Sequence, residues 1–194
     1  MTLILLPLLE MHFCTYVIIG PKGDIQTQVA KALASFDESL EVDPYKVYLD
    51  EAEIKQMAAY FRLEERSPRA LIEKMPDWSG ASGGFDNIGP FSWCTANPEG
   101  RWDWYEIGGR WSGRFGGQNV VNAKTLLNSP GLKKHLPCCI VAPDGQWREV
   151  EKVIDAGHSK FEVVRKSDGR WLIEMKQVLA RYPKHRVVCV DIHD

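Results

Sequence analysis

Two eight-residue runs near the ends of the chain limit its fold more than any other feature: His12–Ile19 (HFCTYVII) and Arg186–His193 (RVVCVDIH). Both are dense in β-branched and aromatic residues, which favour extended backbone. The first, stopped by Gly20-Pro21, predicts a central strand. Alternation in the second puts Val188, Val190 and Ile192 on one face and Val187, Cys189, Asp191 and His193 on the other. Between the two runs, helices and strands follow one another without a regular β-α-β rhythm. The expected class is therefore α+β, a largely antiparallel sheet with helices packed on one face. A ferredoxin-like core built from the first and last strands is the preferred version.

Local signals place the other elements. Asp24 can cap a first helix whose apolar stripe is Ile25, Val29, Leu33 and Phe36. Ile54, Met57, Ala58 and Phe61 mark a second helix, and Ser67-Pro68 starts a third that runs through Met75. From Asp77 to Phe91, Gly80, Gly83, Gly84 and Gly89 predict a long irregular segment. Cys138–Ala142, Gln146–Val150 and Phe161–Arg165 predict short strands, with Pro143-Asp144-Gly145 as the turn between the first two. Trp171, Met175, Val178 and Tyr182 make a helical stripe closed by Pro183. The expected layout is a single α+β domain over 11–194, with a variable Gly-rich insertion around 77–94. Residues 1–10 read as an upstream extension and Met11 as the start, because Thr2–Leu9 is apolar but lacks the basic flank and cleavage site of a signal peptide.

Composition narrows the function classes. The 194 residues carry a net charge of −2, which excludes a domain-wide basic footprint for DNA. No apolar run approaches the roughly 18–20 residues that span a bilayer, so no membrane partner is expected. Five cysteines, an odd number without a C-x-x-C pair, predict reduced thiols and a cytoplasmic location. Neither a metal nor another cofactor is expected, and the oligomeric state stays open. Charge is unevenly spread: residues 37–53 hold seven acidic residues against one Lys, while Lys133–Arg186 holds twelve basic and seven acidic. The acidic strip, with Asp37, Glu38, Glu41 and Asp43, is a candidate surface for a basic partner.

The densest chemistry lies in Arg101–Phe115 (RWDWYEIGGRWSGRF), which holds three of the seven Trp residues. A strand over 102–107 would turn Trp102, Trp104 and Glu106 to one face, and Asp103, Tyr105 and Ile107 to the other. Gly108-Gly109 then permits a sharp bend or a nest of backbone N–H groups for an anion. Arg110, Trp111 and Arg114 follow, and Arg beside Trp suits a phosphate with a base stacked on the ring. Trp102, Trp104, Gly108, Gly109, Arg110, Trp111 and Arg114 are thus candidate ligand-binding residues. Buried Trp–Arg stacking would use the same residues for packing alone. Asp191 and His193, two apart on a strand, are a candidate acid–base pair, to which Asp103 and Tyr105 are added as catalytic candidates. His12, His135, His158 and His185 are dispersed and receive no role.

The stretch from Asn97-Pro98 through Trp111, which contains W-D-W-Y-x-x-G-G-R-W, resembles an uncharacterised family of small phage and prophage proteins. Ala142-Pro143-Asp144-Gly145-Gln146-Trp147 and the closing Asp-x-His strand extend the likeness. It departs from the family ending at Ile192, where the family has Cys. What the resemblance implies is an intracellular accessory protein of a mobile element, acting on host or phage components. Three functions are then weighed. The first is a binding protein for a nucleotide or nucleic acid at the Trp/Arg/Gly-Gly site. The second is a protein antagonist of a host defence or nucleic-acid machine, acting through the acidic strip. The third, given the least weight, is a phosphoester or nucleotide hydrolase. That hydrolase requires the Arg110 motif and the Asp191–His193 strand to meet in space.

Overall fold

A computed structural model describes residues 12–63, 67–80, 82–155 and 161–193. The expected upstream extension, residues 1–10, lies outside them, as does His158. In chain order the elements are β1 (His12–Ile19), α1 (Ile25–Leu33), β2 (Tyr45–Tyr48), α2 (Glu51–Phe61) and α3 (Pro68–Ser79). Next come β3 (Gly83–Phe85), β4 (Pro90–Cys94), β5 (Trp104–Ile107), β6 (Val120–Asn122) and α4 (Ala123–Leu127). The last are β7 (Cys139–Val141), β8 (Trp147–Glu149), β9 (Glu151–Asp155), β10 (Phe161–Arg165), α5 (Asp168–Arg181) and β11 (Arg186–His193).

The chain divides into two compact units. One holds Met1–Ser39, Glu99–Val153 and Val163–Asp194; the other holds Leu40–Pro98 and Ile154–Glu162.

The larger unit is organised by the two apolar runs. β1 and β11 pair antiparallel along their whole length, from His12 opposite His193 to Ile19 opposite Arg186. β7 pairs with β1 in parallel, β8 turns back antiparallel on β7, and β5 and β6 both pair antiparallel with β11. The strand order is β5-β11-β1-β7-β8. The class is α+β, as the sequence predicts, but two of its finer expectations are corrected. A ferredoxin-like core splits its parallel pair with an intervening strand, whereas here β1 and β7 are direct neighbours. Helices also cover both faces. On one, Val29 and Leu33 of α1 pack with Val17, Ile19, Val188, Val190 and Ile192. On the other, Trp171, Met175 and Leu179 of α5 pack with Cys14, Tyr16, Ile18 and Cys189. The reason is visible in β1 and β11, which are apolar at successive positions, so both faces need a cover.

Caps fix where the helices begin. Asp24 accepts from the Thr27 backbone N–H at 2.7 Å and from the Thr27 hydroxyl at 2.8 Å. Ser167 caps α5, whose Trp171 indole donates to the Pro137 carbonyl at 2.7 Å. At the β7–β8 turn, Arg148 grips Asp144 with both guanidinium nitrogens, at 3.0 and 2.5 Å.

In the smaller unit, β2, β4 and β3 form a three-stranded sheet with α2 and α3. Asp50 and Glu53 make a capping box at the start of α2. The irregular segment expected over 77–91 is corrected here: α3 continues to Ser79, Gly80 caps it in the left-handed region, and β3 and β4 follow. Glycine lets β3 lie this close to its neighbours. A Cβ on Gly83 would sit 2.6 Å from Met75 Cγ and 2.7 Å from the Phe91 carbonyl.

The bidentate contact with Arg148 holds the Asp144 carboxyl below its ordinary range. A depressed carboxylate contributes stability that is complete above its unfolded pKa and lost as pH falls through the folded one. Asp144→Asn should therefore cost about 1 kcal/mol near neutral pH and less as the solution is acidified. Urea midpoints at pH 7 and pH 3 will check this; an equal loss at both would count against it.

Candidate functional site

The antiparallel register builds the site. His193 lies directly opposite His12 on one side and opposite Trp104 of β5 on the other. The two imidazoles share a face, with ring centroids 5.0 Å apart and planes at 65°. Each presents Nδ1 to a carboxylate: His12 to Asp191 Oδ1 at 3.0 Å, His193 to Asp103 Oδ1 at 2.6 Å. A carboxylate at Nδ1 fixes the ring and directs chemistry to Nε2. His12 is the functional candidate that its sequence position does not disclose. Its only signal is that the first and last strands have equal length and carry His at opposite ends.

Asp191 is 1% exposed, a costly place for a carboxylate unless both oxygens are satisfied. Oδ1 meets His12, and Oδ2 accepts the backbone N–H of Arg110 at 2.9 Å. The glycine pair makes that second contact possible. Gly108 and Gly109 have φ of 82° and 42°, and a Cβ on Gly109 would fall 2.4 Å from Asp191 Cβ. The Gly108 N–H donates to the Cys189 carbonyl at 2.9 Å. So the Gly108 N–H is engaged by a carbonyl of β11 and the Arg110 N–H by the chain's own Asp191 carboxylate, rather than by an external anion.

The other candidates separate into two groups. Trp104 is 46% exposed and lies edge-on to His12 at 6.0 Å. Arg110 is exposed, and no hydrogen bond or ion pair engages its guanidinium among the described residues. Both are exposed, and Trp104 lies beside His12. Trp102, by contrast, donates its indole N–H to the Leu33 carbonyl at 3.0 Å and packs edge-on against Tyr105 in the α1-side core. The expected alternation over 102–107 is thereby corrected. The strand begins only at Trp104, so Trp102 lies with Tyr105, while Asp103 meets His193 on the face of Trp104 and Glu106. Trp111 packs against the α5-side core, with the Arg114 guanidinium 5.3 Å above its ring. Arg114 donates to the Tyr16 hydroxyl at 3.2 Å and to the Leu136 carbonyl at 3.1 Å. Burial pushes the Tyr16 phenol well above its ordinary range, against the lowering effect of that guanidinium. Arg114 and Trp111 therefore brace the turn, and Arg110 is the cation left to solvent.

The Arg110 motif and the Asp191–His193 strand thus meet, as the hydrolase reading requires. Tyr105 does not join them, because it faces the α1-side core. The acidic strip is not a continuous ribbon of free carboxylates. Asp37 accepts from the Ser39 backbone N–H and hydroxyl, Asp50 and Glu53 close the α2 capping box, and Asp37 and Glu38 fall in a different compact unit from Glu41 and Asp43. Among the described residues, no three His, Cys, Asp or Glu side chains are grouped to hold a metal ion. No helix of the described residues is long and apolar enough to cross a membrane. No family model, curated protein or solved structure matches the chain.

The two arginines should behave differently. Arg110→Ala should leave stability within about 0.5 kcal/mol of wild type, whereas Arg114→Met should cost about 1–2 kcal/mol through lost hydrogen bonds to half-buried oxygens. Gly109→Ala should cost about 2–3 kcal/mol, from its left-handed backbone and the approach to Asp191. Chemical denaturation of the three variants will decide; equal costs for Arg110→Ala and Arg114→Met would contradict the assignment.

Proposed function

We propose that the end of β11 is a binding site for a phosphorylated ligand, a nucleotide or a single strand of nucleic acid. The observation that carries this is the convergence on Asp191. One buried carboxylate orients His12 and accepts the backbone N–H of Arg110, an exposed residue whose guanidinium has no hydrogen bond or ion pair among the described residues. Donors of this kind suit phosphate oxygens, and exposed Trp104 next to His12 offers a face on which a base can stack. In the context implied by the resemblance to phage and prophage proteins, the chain would be an accessory protein of a mobile element, working in the host cytoplasm. Antagonism of a host machine through the acidic strip draws no support from the placement of Asp37, Glu38, Glu41 and Asp43.

Intrinsic Trp fluorescence, followed during titration with nucleotides and with a short deoxyoligonucleotide, tests the site. Binding should weaken steeply as salt rises from about 50 to about 200 mM, since phosphate contacts release counterions. Arg110→Ala should weaken it roughly tenfold, equivalent to losing one charge-assisted contact. An absence of binding across the panel at low salt, or binding indifferent to Arg110, would remove the proposal.

A further inference from the structure

The negative charge of Asp103, Asp191 and Glu106 is a cost to a site that only binds an anion. Two of these carboxylates contact the imidazoles, and the third lies directly across the register from Asp191. Negative charge there opposes an incoming phosphate. The same carboxylates are useful if the imidazoles must keep one orientation while they exchange protons. Twin His–carboxylate pairs, with rings 5.0 Å apart, supply a proton acceptor and a proton donor, and exposed Arg110, whose backbone N–H is held by the same Asp191, is the cation available to stabilise phosphoryl charge.

Resting on the phosphate-site reading, we infer that this chain cleaves single-stranded RNA, with His12 and His193 as the acid–base couple. The 2′-hydroxyl of the substrate is the nucleophile. One imidazole accepts the hydroxyl proton as O2′ attacks phosphorus. The O2′–P bond forms, the P–O5′ bond breaks, and the other imidazole gives its proton to O5′. The products are a 2′,3′-cyclic phosphate and a 5′-hydroxyl. No electrons change hands and no co-reactant is consumed, because the nucleophile is part of the substrate. Arg110 offsets the charge that builds on the non-bridging oxygens. Asp191 and Asp103 are positioning residues that hold the two Nδ1 atoms. His12 thereby gains a role that no sequence motif signals.

The decisive substrate is an end-labelled deoxyoligonucleotide containing a single ribonucleotide, incubated with the full-length chain and a chelator. Wild type should cut it only after the ribonucleotide and leave a cyclic phosphate end. His12→Ala and His193→Ala should each slow cleavage about 100-fold or more in single turnover at saturating protein, a rate independent of any loss of affinity for the all-deoxy strand. Should either alanine variant fail to bind that strand, His12→Gln or His193→Gln takes its place under the same threshold. If the deoxy strand binds but the ribonucleotide strand stays intact, or if the variants cut as fast as wild type, cleavage is overturned and the binding site stands. If neither strand binds, both proposals fall together.

Discussion

The eight-residue antiparallel pairing of β1 with β11 is the constraint from which the rest of the larger unit follows. It joins the two ends of the described chain, and β5, β6 and β7 all attach to one or the other of these strands. Its register also decides the chemistry. With His12 opposite His193 and Cys14 opposite Asp191, two imidazoles and a carboxylate reach the same face at one end of the sheet. Because side chains alternate with period two, a slip of one residue would send Asp191 and His193 to the opposite face. The apolar residues of β11 on either side of Asp191, with α1 packed over Val190 and Ile192, resist such a slip.

Asp191 shows how fold and site are coupled. A carboxylate at a position sealed from water is destabilising unless donors surround it. Here one donor comes from β1 and one from the turn after β5, so satisfying Asp191 also locks three chain segments together. The glycine pair belongs to the same device, since a side chain on Gly109 would occupy the space of the carboxylate. Trp111, Arg114 and Tyr16 then support the turn from beneath through stacking and hydrogen bonds to neutral oxygens. A single motif therefore divides its labour, with Trp102, Trp111 and Arg114 in packing and Trp104 and Arg110 at the surface.

How much of this could be read in the chain differs from element to element. The strands at both ends, the Asp24 cap and the α5 stripe were legible, because each depends on neighbours within one or two turns. β2 lies inside the acidic strip and β3 inside a glycine-rich stretch. The first is only four residues long and the second only three, and both pair with β4. The motif around Arg110 was recognisable as a concentration of chemistry. Which of its two arginines is free was not, because both stand beside Trp in sequence and only packing separates them.

The sequence by itself determined the α+β class, the extended character of the terminal runs, and the clustering of Trp, Gly and Arg over 102–114. These are local properties, set by side-chain shape and spacing. Only the tertiary structure decided that β1 lies beside both β11 and β7, that helices cover both faces, and that His12 joins Asp103, Asp191 and His193. Those outcomes depend on strand register between residues about 180 positions apart. A hydrogen bond such as His12–Asp191 has no trace in local pattern, since neither partner's neighbours carry information about the other.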